Sequence, residues 1–437
     1  MDASVGLIIA AVVMLVLLAV GLPVGFTFGA AAMLGFLLIE GPQSLVILVI
    51  NTWAYMNAYL FVAQLMFYVM AETLNRTGMA DKIFETVYYW MASLKGGLGM
   101  SVVVACAIFG AMSGIGSAAI VTMSILALPS MLKRKYHPDI AVGSIAAGAP
   151  LGFLIPPSVL MIFYAIFTGV SVGKLFIAGI LPGILLASLY CIYIGIRCWR
   201  NPSLGPSIPT EERPNMREKL ASTKGIILPG ILILLVLGTI YMGICTVTEA
   251  AGIGAAGAIV AAIIYRKLTW RRLWDSLWSA TKLNAMVMWL CWGGIIFGTL
   301  LTSTGMPHAL QTAVLGMDLQ PWMVLIGLQV VFIILGMFVD PFITVMICIP
   351  TFYQLIVGFG FNELWFALLF IVNSQIGWLT PPFGFSLYLL EATVPKHITL
   401  SHIIHSVWPF IGLQIVGLVL IIFFPQIATW LPGLMMK

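Results

Sequence analysis

Residues 98–132 read LGMSVVVACAIFGAMSGIGSAAIVTMSILALPSML, two apolar arms, Leu98–Met112 and Ser117–Leu132, meeting at the small, polar join Ser113-Gly114-Ile115-Gly116-Ser117. As helices the arms reach roughly 22–24 Å, short of the ~30 Å hydrocarbon core of a bilayer. Basic residues lie at both outer ends, Lys95 before the first arm and Lys133-Arg134-Lys135 after the second. Both ends therefore belong to one face of the membrane, and the spacing predicts a re-entrant hairpin whose tip stops inside it. Non-helical backbone is tolerated at that depth only where protein buries it or a cavity adjoins it. Gly110-Ala111-Met112-Ser113-Gly114 also fits the GxxxG spacing of close helix contacts, a packing role compatible with the hairpin.

The rest of the chain is equally apolar. Of its 437 residues, 61% are hydrophobic and 8% charged, against about 25% charged in soluble domains; the mean hydropathy is +1.10. Met1-Asp2-Ala3 lacks a basic leader and Ser4–Gly21 runs into Pro23 and a second apolar run, so the first segment is expected to be a retained transmembrane helix. Cys106, Cys191, Cys198, Cys245, Cys291 and Cys348 sit singly in apolar runs without CxxC spacing, which points to packing rather than to zinc or a disulfide frame. The net charge of +5 does not call for nucleic acid, because topology accounts for it.

Arg197–Lys224 is the most hydrophilic stretch, with six Lys/Arg and four prolines, and reads as a cytoplasmic linker. Gly225–Met242 and Val247–Tyr265 form a helical pair that returns Arg266–Arg272 to the same side, and Leu283–Leu301 crosses outward. Toward the N-terminus, Leu175–Ile196 and a broken run at Ile140–Phe167 place Lys133-Arg134-Lys135, Lys95, Lys82 and Arg76 in the cytoplasm. Of 20 Lys/Arg only Lys174 and Lys437 fall outside, and both termini are expected to be periplasmic. Ala80–Ser93 and Leu268–Ala280 mix aromatic and charged residues and are expected to be amphipathic helices lying along the interface.

Thr77-Gly78-Met79 recurs as Thr304-Gly305-Met306 at an offset of 227, which also aligns Ser113 with Asp340; Pro156-Pro157 recurs as Pro381-Pro382 and Thr168 as Thr393, both at 225. The topology gives the two halves opposite orientation, a hallmark of secondary transporters. The expected fold is an all-α polytopic membrane protein of two inverted repeats, residues 1–198 and 225–437, joined by the linker 199–224. Each repeat carries a hairpin (about 96–133 and 319–360) and a proline-broken helix (about 139–168 and 363–393).

In the second hairpin Pro321–Val339 and Phe342–Val357 flank Asp340-Pro341. A carboxylate at that depth is a functional candidate, and Asp before Pro is equally a good helix start; one residue can do both. The double prolines delete backbone donors, freeing carbonyls and creating half-helix ends suited to Na⁺ or an anion; a simple kink is the alternative. Ser158, Thr380, Asn373 and Ser374 supply polar atoms beside the breaks. Thr246-Val247-Thr248-Glu249 reads as a capping box, which favours a structural role for Glu249. Glu72 and Glu391 pair with loops or line a path. Gly173-Lys174 fails the phosphate-loop pattern, the histidines do not cluster, and no catalytic constellation or cofactor motif appears.

Gly110-Ala111-Met112-Ser113-Gly114 with Ser117-Ala118-Ala119, and Gly152-Phe153-Leu154-Ile155-Pro156-Pro157-Ser158 followed by Thr168–Phe176, resemble motifs of the large membrane subunit of tripartite ATP-independent periplasmic (TRAP) transporters. Gly243–Ala251 and Asn373–Gly384 are similar to two more, and the resemblance covers essentially the whole chain. Ile115 or Gly116 stands where the family usually has Ser, and Val247 where it has Pro. The resemblance implies an elevator-type fold and uptake of a small organic acid across the bacterial inner membrane, coupled to Na⁺. It implies two partners, a periplasmic solute-binding protein and a small four-helix membrane subunit. It implies one Na⁺ site around Ser113, Gly114, Ser117, Pro156, Pro157 and Ser158. A second would involve Asp340, Pro341, Asn373, Gly377, Thr380, Pro381 and Gly384, with the solute between the tips at Ser113 and Asp340. A stand-alone Na⁺/anion symporter and a channel or membrane scaffold are the competing readings.

Overall fold

The computed structural model describes residues 2–435 apart from Thr210, Glu212 and Lys396, so Met1 and Lys437 lie outside the described residues. In the first half, α1 (Ala3–Ala19) pairs with α2 (Val24–Ile39). Helix α3 (Leu45–Met56) meets α4 (Leu60–Arg76) at a 49° bend. Then come α5 (Met79–Met91), the hairpin α6 (Gly97–Ser113) and α7 (Gly116–Leu126) with its short extension α8 (Leu128–Lys133), the broken pair α9 (Pro138–Gly148) and α10 (Val159–Thr168), and α11 (Val172–Arg200).

The second half opens with α12 (Met216–Tyr241) and α13 (Val247–Ile264), followed by α14 (Trp270–Ser303) and α15 (Met306–Leu315). Its hairpin is α16 (Pro321–Phe338) and α17 (Pro341–Gly358); its broken pair is α18 (Glu363–Leu379) and α19 (Phe385–Glu391); α20 (Leu400–Phe423) and α21 (Gln426–Met435) close it. The helices starting at Met79, Gly116 and Pro138 are answered by helices starting at Met306, Pro341 and Glu363, at spacings of 225–227. Gly78 and Gly305 take the same left-handed turn, φ 74° and 71°, to open α5 and α15; only glycine does this without a steric cost.

Two expectations change. Leu268–Ala280 is not a separate surface helix, because its residues run unbroken into the crossing helix as α14. Thr269 caps the start by accepting from the Arg272 N–H at 3.2 Å, and no proline interrupts the 34 residues that follow. A helix of that length reaches about 51 Å, so its charged first turns project beyond a ~30 Å core. The element that answers α5 at the repeat spacing is α15. The first broken helix also unwinds earlier than Pro156: α9 ends at Gly148 and a 3₁₀ turn covers Ala149–Phe153. Pro150 cannot supply the N–H that would continue α9.

Helices α2, α4, α13 and α14 pack into one group. A second group gathers α6, α9, α11, α18 and α20 around the first break, with α16 laid on α18 and α17 on α10 and α14. Large apolar side chains face outward, Ile8 at 63% and Leu234 at 74% exposure among them, a surface that water would not tolerate and lipid does. Among the described residues, eight helices have the length and apolar composition to cross a membrane.

Candidate ion and solute site

The first tip is shaped by Gly114. It ends α6 in the left-handed conformation (φ 63°) and donates its N–H to the Gly110 carbonyl at 2.7 Å. A Cβ there would sit 2.7 Å from the Pro157 carbonyl oxygen, so the tip rests directly on the first proline break. The Gly114 carbonyl accepts from the Val159 N–H at 3.4 Å. One turn earlier Gly110 lies against Gly152, where a Cβ would come within 2.5 Å of the Gly152 Cα. Ser158, fully buried, caps α10 by accepting from the Met161 N–H at 3.3 Å and donates to the Phe153 carbonyl at 2.6 Å. Ser113 makes only long contacts with Ile115, at 3.4 Å. Ser113, Gly114, Pro157 and Ser158 are thus brought together, with Pro156 buried beside them.

The second tip is built differently. Val339 is extended and Asp340 caps α17, one carboxylate oxygen accepting from the Phe342 N–H at 3.0 Å. The glycine seam recurs: a Cβ on Gly377 would lie 2.6 Å from the Gly336 Cα, as Gly110 meets Gly152 in the first half. Thr380 donates to the Ile376 carbonyl at 2.5 Å. Ser386 donates to the Trp378 carbonyl at 2.8 Å, the counterpart of Ser158 on Phe153. Gly384 opens α19 with no side-chain cap, and a Cβ there would lie 2.9 Å from the Thr380 and 3.1 Å from the Trp378 carbonyl oxygen.

Asn373 stands apart from Asp340. Its Nδ2 donates to Oε1 and to the backbone carbonyl of Gln329, at 2.8 and 2.9 Å, and Gln329 is eleven residues before Asp340, about 16 Å along a helix. The predicted second set is therefore divided between the seam and the tip.

The two tips share a cavity of about 380 Å³ lined by Ile115 and Ser117 from the first, Asp340 and Phe342 from the second, and Phe153 and Trp378 from the two breaks. Phe153 and Trp378 stand 225 residues apart in the chain and meet edge to face, ring centroids 5.1 Å apart. Tyr68 of α4 and Leu290 of α14 also line it. Sequence reading passed over Gly336, Gln329, Ser386 and the ring pair; the offsets of 225–227 applied to Gly110 and Phe153 point to Gly336 and Trp378. It placed Glu249 correctly: the Thr246 N–H donates to its carboxylate at 2.8 Å and its own N–H to the Thr246 hydroxyl at 3.3 Å. Glu72 pairs with Arg76 at 3.2 Å.

Comparison with known proteins identifies the family and the fold. Residues 11–427 match the family model described as "Tripartite ATP-independent periplasmic transporter, DctM component". The chain is 29% identical to the C4-dicarboxylate TRAP transporter large permease protein DctM of Pseudomonas aeruginosa, over 91% of this chain and 92% of that one. It is 30% identical to the ectoine/5-hydroxyectoine large permease protein UehC of Ruegeria pomeroyi, over 96% and 97%. The crystal structure of the YdaH transporter of Alcanivorax borkumensis superposes with a TM-score of 0.61 at 16% identity, covering 89% of this chain and 90% of that one, which establishes a shared fold. The chain is a multi-pass membrane protein belonging to the DctM family, the large permeases of the TRAP transporters.

Proposed function

We propose that this chain takes up a small organic acid across the bacterial inner membrane in symport with Na⁺. The observation that carries the reading is the cavity lined by residues of both tips and both breaks. Na⁺ favours oxygen ligands, and carbonyls freed at broken helices supply them near the midplane. The first ion lies among Ser113, Gly114, Ser117, Pro156, Pro157 and Ser158. The second lies among Asp340, Pro341, Gly377, Thr380, Pro381 and Gly384, with Asn373 and Gln329 holding the α16–α18 seam behind it. The solute sits between the tips.

The hairpins and broken helices form the moving body of an elevator, which slides against α4, α13 and α14 and is braced by α5 and α15. Both termini face the periplasm. A periplasmic binding protein delivers the solute, and a small four-helix membrane subunit extends the scaffold; the family's "tripartite" description supports both. Relatives are named for C4-dicarboxylate, ectoine, isethionate and sialic acid, which supports acid uptake and leaves the class of acid open.

The test is uptake into proteoliposomes holding the chain and its small subunit, using the acid that stabilises the cognate binding protein in a thermal-shift screen. Uptake should require both an inward Na⁺ gradient and the binding protein. Indifference to the Na⁺ gradient would overturn the coupling; uptake without the binding protein would favour a stand-alone symporter.

A further inference from the structure

The lining of the central cavity narrows the class of acid. We propose that its solute is a compact monocarboxylate with an aliphatic or aromatic body, an inference that rests on the uptake reading above. Tyr68, Phe153, Phe342 and Trp378 present rings, and Val287 and Leu290 of α14 add aliphatic wall, around about 380 Å³. Beyond the ring polar atoms of Tyr68 and Trp378, Ser117 and Asp340 bear the only polar side chains among the described lining residues, which include no Lys, Arg or His.

Three consequences follow for a bound acid. A polyhydroxylated acid would surrender water from each hydroxyl to a wall without partners, and each unmet group weakens binding by roughly tenfold. The two Na⁺ of the uptake reading offset Asp340 and one carboxylate, so a dicarboxylate would add an uncompensated negative charge to an apolar space that offers no cationic side chain among its described lining. A hydrocarbon body, by contrast, gains from burial against this wall.

The two tips also divide the polar work. Asp340 occupies the N-terminus of α17 with its own carboxylate. Ile115, which opens α7, gives no side-chain cap, so the Gly116 and Ser117 end of that helix, together with the Ser117 hydroxyl, is left for the acid's one carboxylate. The solute therefore lies with its carboxylate at the first tip and its body across Phe153 and Trp378 toward the second.

The test uses the purified full chain in lipid nanodiscs at saturating NaCl and follows the unfolding transition as acid is added. Three probes separate the classes: 4-methylpentanoate, succinate and gluconate. 4-Methylpentanoate should raise the transition saturably, at a half-saturating concentration at least tenfold below either other acid. Leu290→Gln should raise that concentration about fivefold or more by placing an amide on the wall. Leu389→Gln, on the part of the lining that α19 contributes, should do the same and serves if the first variant is unstable without ligand. A preference for succinate or gluconate would overturn the assignment while leaving Na⁺-coupled uptake standing. Silence from all three acids, with the chain still stabilised by Na⁺ over K⁺, would overturn it too. An undiminished response in both variants would place the acid outside this cavity.

Discussion

Replacing Gly377 by alanine tests the seam that carries the second tip. The new Cβ would lie 2.6 Å from the Gly336 Cα and 2.7 Å from its carbonyl carbon, where carbon atoms normally rest about 3.5–4.0 Å apart. Both neighbours are backbone, so no side chain can swing away, and α16 must part from α18 by about 1 Å. That displacement stretches the Asn373–Gln329 hydrogen bonds, now 2.8 and 2.9 Å. Overpacking costs about 1–3 kcal/mol and a weakened buried hydrogen bond about 1 kcal/mol more, so a loss of about 2–4 kcal/mol is expected. Two companions calibrate it. Gly336→Ala meets the Gly377 Cα at 3.2 Å and should cost less; Gly327→Ala, also on α16, meets nothing within 4 Å and should be neutral or slightly stabilising. The assay is thermal unfolding of the three variants in nanodiscs, with the rank order Gly377→Ala below Gly336→Ala below Gly327→Ala. Equal transitions for Gly377→Ala and Gly327→Ala would refute the close seam.

Three further outcomes are expected. Ser158→Ala loses the cap on α10 and the bond to the Phe153 carbonyl, at a cost of about 0.5–2 kcal/mol, and should raise the Na⁺ concentration for half-maximal uptake; an unchanged Na⁺ dependence would reduce the first break to a kink. Asn373→Leu strands the buried Gln329 side chain and should lower stability by about 1–3 kcal/mol, measured by thermal unfolding. Ala280→Pro, in the unbroken first part of α14, should cost about 3 kcal/mol or more; a silent substitution would restore the separate surface helix.

Much of the architecture was legible because membrane insertion leaves few options. The short apolar arms between like-charged ends correspond to α6 and α7, and the double prolines lie between α9 and α10 and between α18 and α19. The extent of α14 was hidden because its charged first turns look like a surface helix, whereas helix ends are set by caps and prolines; Thr269 caps it and no proline ends it. Helix α15 went unanticipated because it carries no Lys, Arg, Asp or Glu to mark it as a surface element, although Thr304-Gly305-Met306 at its start repeats Thr77-Gly78-Met79. Around the site, Ser113, Gly114, Pro157 and Ser158 proved to be neighbours because local sequence forms both the tip and the break. Gln329 escaped notice because its partner Asn373 is 44 residues away, a contact that only packing creates.

Whether the tips and breaks hold Na⁺ can be read by equilibrium binding of ²²Na⁺ to the purified chain, without knowing the solute. Saturable binding is expected that K⁺ does not displace and that weakens when Ser158 and Thr380 are both changed to alanine in a chain that still folds. Absence of saturable Na⁺ binding, or binding indifferent to both substitutions, would contradict it.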